Sequence, residues 1–178
     1  MTVRVGFLRA VNVGKRRVAM ARLREVTEGL GHTDVWTHVN SGNVVFDATG
    51  RRDALETSLE AAYEDAFGFE CTTFVRTAAE VDAVLAATPF EVGDGDTHFV
   101  TFLKDAPSAA ARRDLEALSG AFDTLIVDGR DVHWLMHGRS TETQIPKRDW
   151  ERVLGRNSST SRNTTMLRGL SAKIAARA

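Results

Sequence analysis

Two polar clusters hold the residues best suited to chemistry. The first is Arg9-Ala10-Val11-Asn12-Val13-Gly14-Lys15, and the second is Asn40-Ser41-Gly42-Asn43. Arg9 and Lys15 supply positive charge. Asn12, Asn40, Ser41 and Asn43 supply amide and hydroxyl groups. Gly14 and Gly42 allow a ligand to approach the backbone closely. That set suits recognition of an anion. It is not a phosphate-binding P-loop, which would need glycine where Arg9 stands and Ser or Thr where Arg16 stands. No G-x-G-x-x-G follows the first strand, so no cofactor is expected. A plainer reading stands beside this one, because Asn, Ser and Gly are also ordinary turn formers.

Three other features compete for a role. Ser158-Ser159-Thr160-Ser161-Arg162-Asn163 precedes the last helix. Such residues cap helices, and Arg162 with Asn163 would otherwise make a second anion-binding helix start. His133 and His137 are spaced to share one face of a strand. A metal needs more ligands than that, and Glu142 is the one carboxylate close after them, so no metal site is expected. Cys71, beside Glu70 and among Phe69, Phe74 and Val75, reads as an inert core thiol.

The elements that must position these clusters follow from periodicity. Val3 to Ala10 reads as a buried strand. Met20, Leu23, Val26 and Leu30 recur at helical spacing, with Gly31 as a stop. Val35, Thr37 and Val39 alternate with polar or aromatic residues, and Ser41-Gly42 turns the chain into Val44-Val45-Phe46. Leu55, Leu59, Ala62 and Ala66 mark a second helix, and Phe69 to Val75 a fourth strand. The order βαββαβ is that of a ferredoxin-like, or split βαβ, unit. With the first strand running up, both clusters lie at the top, beside the start of the first helix. The unpaired N–H groups and dipole there favour an anion.

The second half begins the same order again. Val5-Gly6-Phe7-Leu8-Arg9 is echoed by Val100-Thr101-Phe102-Leu103-Lys104. A helix with Ala111, Leu115 and Leu118 follows. Then come Leu125 to Val127, an Asp128-Gly129 turn and Val132 to Met136. Trp150, Val153 and Leu154 suggest one helix, and Leu167, Leu170 and Ile174 another. The last strand reads as weak or missing, with Ser158 to Ser161 the one candidate. The expected division is 1–76, a linking helix and loop over 77–96, and a degenerate second unit over 97–178. The fold class is α+β, with two ferredoxin-like (split βαβ) subdomains of antiparallel sheet and an internal duplication.

Composition bounds the partners. The chain has 178 residues, a net charge of −1 and a pI near 6.5, so nothing pulls it as a whole towards nucleic acid or acidic lipid. One cysteine excludes an intrachain disulfide. There is no signal-peptide pattern and no apolar run of membrane length. A cytoplasmic protein is expected, without a membrane partner. An RNA-recognition module would stack bases on aromatics, but Asn43 to Phe46 offers one aromatic and the K/R-G-F/Y-G/A-F pattern is absent.

Phe7-Leu8-Arg9-Ala10-Val11-Asn12-Val13-Gly14, then Met20 and Leu23, then Thr37 through Ser41-Gly42-Asn43-Val44-Val45-Phe46, resemble the uncharacterised bacterial family numbered 1697 among domains of unknown function. Its members resemble L-R-G-I-N-V-G-G, a Pro-Met helix start and Q-S-G-N-V-V-F. A T-x-R-N motif opening their last helix is similar to Thr160-Ser161-Arg162-Asn163. The resemblance implies paired ferredoxin-like subdomains and no established activity. This chain departs from the pattern at Ala10 for glycine, Ala19 for proline, a Gly14-Lys15 loop shorter by one residue, and Thr164 for an aromatic.

The expected function is binding of a small anionic or phosphorylated metabolite, with a chemical step left open. Arg9 and Lys15 would hold charge, Gly14, Asn40 and Gly42 would shape the loops, and Asn12, Ser41 and Asn43 would orient the ligand. Arg162 and Asn163 would complete the site. The alternative is a non-catalytic nucleic-acid or protein interaction module. Oligomeric state is not legible.

Overall fold

The computed structural model describes residues 1–177. The chain divides into two compact units, one over Met1–Val81 and the other from Asp82 onward.

The first unit contains β1 (Thr2–Leu8), α1 (Met20–Gly29), β2 (Thr33–Thr37), β3 (Asn43–Ala48), α2 (Arg52–Phe67) and β4 (Thr73–Thr77), followed directly by α3 (Ala78–Ala86). Its antiparallel sheet has the order β2-β3-β1-β4. Leu8, Val44, Phe46, Ala48 and Val75 pack on Leu23, Leu55, Leu59 and Tyr63 of the helices. Fully burying each large apolar side chain is worth about 1.5–3 kcal/mol. The other face is equally buried at Val5, Phe7, Val45 and Phe74. Burial on both faces explains why the strands read as continuous apolar runs. A polar pair within this core is satisfied: Thr27 Oγ1 donates to Leu23 O and lies 2.7 Å from the Tyr63 hydroxyl.

Two strand ends differ from the sequence expectation. β1 stops at Leu8, because Ala10 takes a left-handed φ of 53°. β4 begins at Thr73, not Phe69, because Gly68 ends α2 in the left-handed region. Cys71 therefore lies in the connection before the strand. It is buried in the core, and burial pushes its thiol up to about 11.

The second unit contains β5 (Thr97–Leu103), α4 (Ala109–Glu116), β6 (Asp123–Asp128), β7 (Asp131–Met136), a 3₁₀ turn (Ser140–Glu142), α5 (Lys147–Leu154), β8 (Ser159–Asn163) and α6 (Thr164–Arg177). Its order, β6-β7-β5-β8, is that of the first sheet. The expectation of a weak or missing last strand is corrected here: β8 pairs with β5 from Leu103↔Ser159 to Phe99↔Asn163. Its polar residues satisfy one another. Thr101 and Ser161 hydroxyls meet at 2.7 Å, and Arg162 Nη1 donates to Thr160 Oγ1 at 2.8 Å. The unit is complete rather than degenerate. Val5 pairs with Val45 and Arg76, and Val100 with His133 and Arg162, so the echoed strands occupy matching positions.

Candidate functional site

The two polar clusters meet at the upper end of the first sheet. β1 leaves the sheet with Leu8 N–H donating to Gly42 O and Arg9 N–H donating to Thr72 O, both at 2.8 Å. The β1–α1 loop then crosses to the β2–β3 turn, where Asn12 Nδ2 donates to Asn40 O at 2.8 Å. The same amide closes the loop on itself, donating to Val18 O and accepting from Val18 N–H. Asn43, fully buried, donates to His38 O and Ser41 Oγ. These contacts make Asn12 and Asn43 braces between backbone segments.

Close packing explains the turn glycine. A Cβ on Gly42 would lie 2.4 Å from Val11 Cγ2 and 3.0 Å from Leu8 Cβ, and its φ is +75°. Val11 and Val18 are buried in the core and anchor both ends of the loop. Between them the backbone is unusual. Ala10, Asn12 and Gly14 alternate along the chain with φ of 53°, 56° and 60°, and Val39 across the gap has φ 51°. A β-branched residue there is a genuine outlier, and such strain concentrates at functional loops.

The segments that form the two loops carry charge of one sign, and Glu70, which accepts from Thr72 Oγ1, stands in the neighbouring connection. From Arg9 to Arg24 the chain carries six basic residues and no acidic one, and Val35 to Phe46 contains no acid. Arg9 is half-buried, while Lys15, Arg16 and Arg17 are exposed. Arg16 lies over the Phe69 ring at 5.2 Å. Arg24 donates to Thr37 Oγ1, and Arg22 pairs with Glu25 at 3.1 Å. α1 begins at an Ala19 cap with no side-chain acceptor and no acid in its first turn. Val13 and Val39, exposed at the two loop tips, are among the few large apolar residues left in solvent.

Arg162 and Asn163 belong to the second unit. Asn163 Oδ1 accepts from Thr165 N–H at 2.7 Å, as a cap does. Arg162 sits on β8, buried, and burial lowers it to about 10. Arg76 holds the matching register position on β4 and is also buried. In the sequence, a four-residue motif before the final helix marks Arg162. Nothing comparable marked Arg76.

The paired histidines of the sequence part company. His137 lies past the end of β7 with Nδ1 3.1 Å from Asp96 Oδ1. His133 turns inward, its Nδ1 3.1 Å from Nε2 of His98, and the Phe90 ring stands nearly perpendicular to both imidazoles. The outer nitrogens of this pair, His98 Nδ1 and His133 Nε2, are buried without hydrogen bonds. Among the described residues no group of three or more His, Cys, Asp and Glu side chains is arranged to hold a metal. No described helix is long and apolar enough to cross a membrane.

Two four-stranded antiparallel sheets of identical strand order, each with helices between its strands, define a paired ferredoxin-like α+β protein. The chain belongs to the family described as protein of unknown function DUF1697, whose model matches residues 1–133 and so takes in both polar loops. Its fold is similar to the solved structure of the conserved bacterial protein SP0830 from Streptococcus pneumoniae. That likeness has a TM-score of 0.73 at 19% identity, over 97% of this chain and 98% of that one. No curated protein matches the chain significantly.

Proposed function

We propose that the upper loops of the first unit bind a small anionic or phosphorylated metabolite. The observation that carries the reading is the Asn12–Asn40 bond of 2.8 Å, which joins two loops that contain no acid. Arg9 and Lys15 supply the charge. Gly14 and the left-handed residues before it turn backbone N–H groups towards the anion. Asn40, Ser41 and Gly42 form the opposite lip, and Asn12 and Asn43 hold the lips in register. We also read the two units as an internal duplication, supported by their common strand order and the repeated V-x-F-L-basic strand. The setting we assign is the bacterial cytoplasm, supported by a lone cysteine that is buried.

Titration of the full chain with inorganic phosphate, pyrophosphate and nucleotides tests the site. Arg9→Ala should weaken the best of these by about 1.5–3 kcal/mol, the scale of a hydrogen bond to a charged group. Salt dependence should be shallow. The exposed Arg16, Arg17, Val13 and Val39 favour one rival, a nucleic-acid surface. It predicts binding of short single-stranded RNA with a salt slope that grows by about 0.7 per phosphate neutralised. Tight RNA binding, weakened equally by each arginine change, would replace the pocket reading.

A further inference from the structure

The β1–α1 loop carries a run of backbone donors that the protein itself leaves unused. On one side of the run Arg9 N–H donates to Thr72 O, and on the other Arg16 N–H donates to Val13 O at 3.2 Å. Between them, no acceptor among the described residues meets the backbone N–H of Ala10, Val11, Asn12, Val13, Gly14 or Lys15. Folded chains rarely leave such groups unpaired away from water. Val11 is 4% exposed, so little water reaches its N–H. The φ angles of the run change sign at every residue: Ala10, Asn12 and Gly14 are positive, and Val11, Val13 and Lys15 are not. Alternation of that kind turns successive N–H groups to one side of the chain, where they form an anion-binding concavity. The matching connection of the second unit, residues 104–108, has no residue of positive φ.

Lys15, Arg16 and Arg17 complete the run and follow it, all exposed. Among the described residues none of the three forms an ion pair; Arg16 lies over the Phe69 ring and Arg17 donates to Arg16 O. Adjacent like charges repel one another until an anion neutralises them. A phosphate monoester carries about two negative charges at neutral pH and leaves one of these cations unmatched. A diphosphate group adds a further charge and a second set of acceptor oxygens along the donor run. We infer that the anion held by this loop is a diphosphate group, inorganic or esterified. The inference rests on the anion-binding reading of the first unit and names the ligand class for it. The backbone N–H groups recognise the phosphoryl oxygens, and the three cations act through the field they set up at the loop.

Calorimetric titration of the full chain without divalent cations tests it, using inorganic phosphate, AMP, pyrophosphate, ADP and dimethylallyl diphosphate. Pyrophosphate reads the shared group alone, and the two esters distinguish a nucleotide from an apolar ester as its source. Pyrophosphate and at least one ester should bind about tenfold or more tightly than phosphate and AMP, the ratio that one more charge-assisted hydrogen bond gives. Amide proton resonances from Ala10 to Lys15 should move downfield, and those of residues 104–108 should stay in place. K15Q/R16Q/R17Q should bring pyrophosphate down to the affinity of phosphate. Phosphate matching pyrophosphate, with shifts in the loop, overturns the diphosphate inference and leaves the anion site standing. No binding of any probe at millimolar concentration, or shifts that map outside the first unit's loops, overturns both. The shifts are read on the unmodified protein, so a misfolded triple variant would not spare the proposal.

Discussion

The upper ends of the two units use one scaffold in opposite ways. In the first, residues 9–19 and 38–42 form long connections that are braced by Asn12 and Asn43 and sealed by Val11 against Gly42. In the second, residues 104–108 and the Gly129-Arg130 turn are as short as the topology allows, and a cavity is left. The lower parts agree in register. The buried pair His98 and His133 occupies positions held by Val3 and Val45 in the first sheet. The lesson is that strand order fixes where a site can form, while loop length and a few interior substitutions decide whether it is filled, open or charged.

The two units differ most sharply at their hairpin glycines. Gly42→Ala forces a side chain into a left-handed position and against Val11, so it should cost about 2–4 kcal/mol. Gly129 has φ +58°, but a Cβ added to it would meet nothing within 4 Å. Gly129→Ala should therefore cost only about 1 kcal/mol. Urea unfolding of both variants gives the two numbers. Equal losses would show that Val11 does not seal the first unit's loops.

The buried histidine pair should make the second unit sensitive to acid. Burial, then His133 and Arg168, hold folded His98 down to about 4 from an ordinary 6.5. His133 is lowered too, by burial, against Asp128 and Asp131. Between those pH values the unfolded chain binds more protons. Stability from this pair is thus complete above about pH 6.5 and is lost as pH falls towards 4, by about 2–3 kcal/mol. Replacing both histidines with the valines of the first unit removes both buried polar partners together, which is close to neutral at pH 7. H98V/H133V should unfold at a urea midpoint that barely changes between pH 7 and pH 4.5, while the parent's falls. A parallel fall in both would place the acid sensitivity elsewhere.

Much of this was legible in the residues. Val5 to Leu8, Val44 to Phe46 and Val132 to Met136 announce strands because both faces of each sheet are buried. The meeting of the polar clusters follows from strand direction alone. β8 was obscure because Ser-Thr-Ser-Arg-Asn carries no apolar alternation, and its fit depends on hydroxyl partners from β5 far away in sequence. Tyr63, not Ala62, fills the core on α2, since its hydroxyl finds Thr27. The amides of Asn12 and Asn43 look like ligand-binding groups until their backbone partners are seen. His98 gave no signal, because its partner lies on another strand. Backbone strain at Ala10 and Val39 leaves no mark on composition.

The smallest expected effect separates how the two sheets guard an edge. An open strand edge invites pairing with another chain. On β4 the outward N–H groups of Thr73, Val75 and Thr77 are bound by Glu60, Glu56 and Glu80. The second unit guards the opposite edge, where Val127 N–H on β6 donates to Glu116 and Leu125 N–H to Ser119 Oγ. Glu56 is buried, and its bond to Val75 is a buried one. Glu56→Ala should therefore strand that N–H and cost about 1–2 kcal/mol, and Glu56→Gln, which keeps an acceptor, should recover most of it. Glu116 is partly exposed and also meets Arg112 at 3.3 Å. Water can replace its carboxylate, so Glu116→Ala should cost no more than about 0.5–1 kcal/mol. Urea midpoints measure the stability terms, and light scattering near the midpoint reads edge pairing. Glu56→Ala scattering more than Glu116→Ala would show that the α2 carboxylates protect the first sheet from association. The reverse order would mean that β6 is the vulnerable edge and that the carboxylates on β4 serve packing alone.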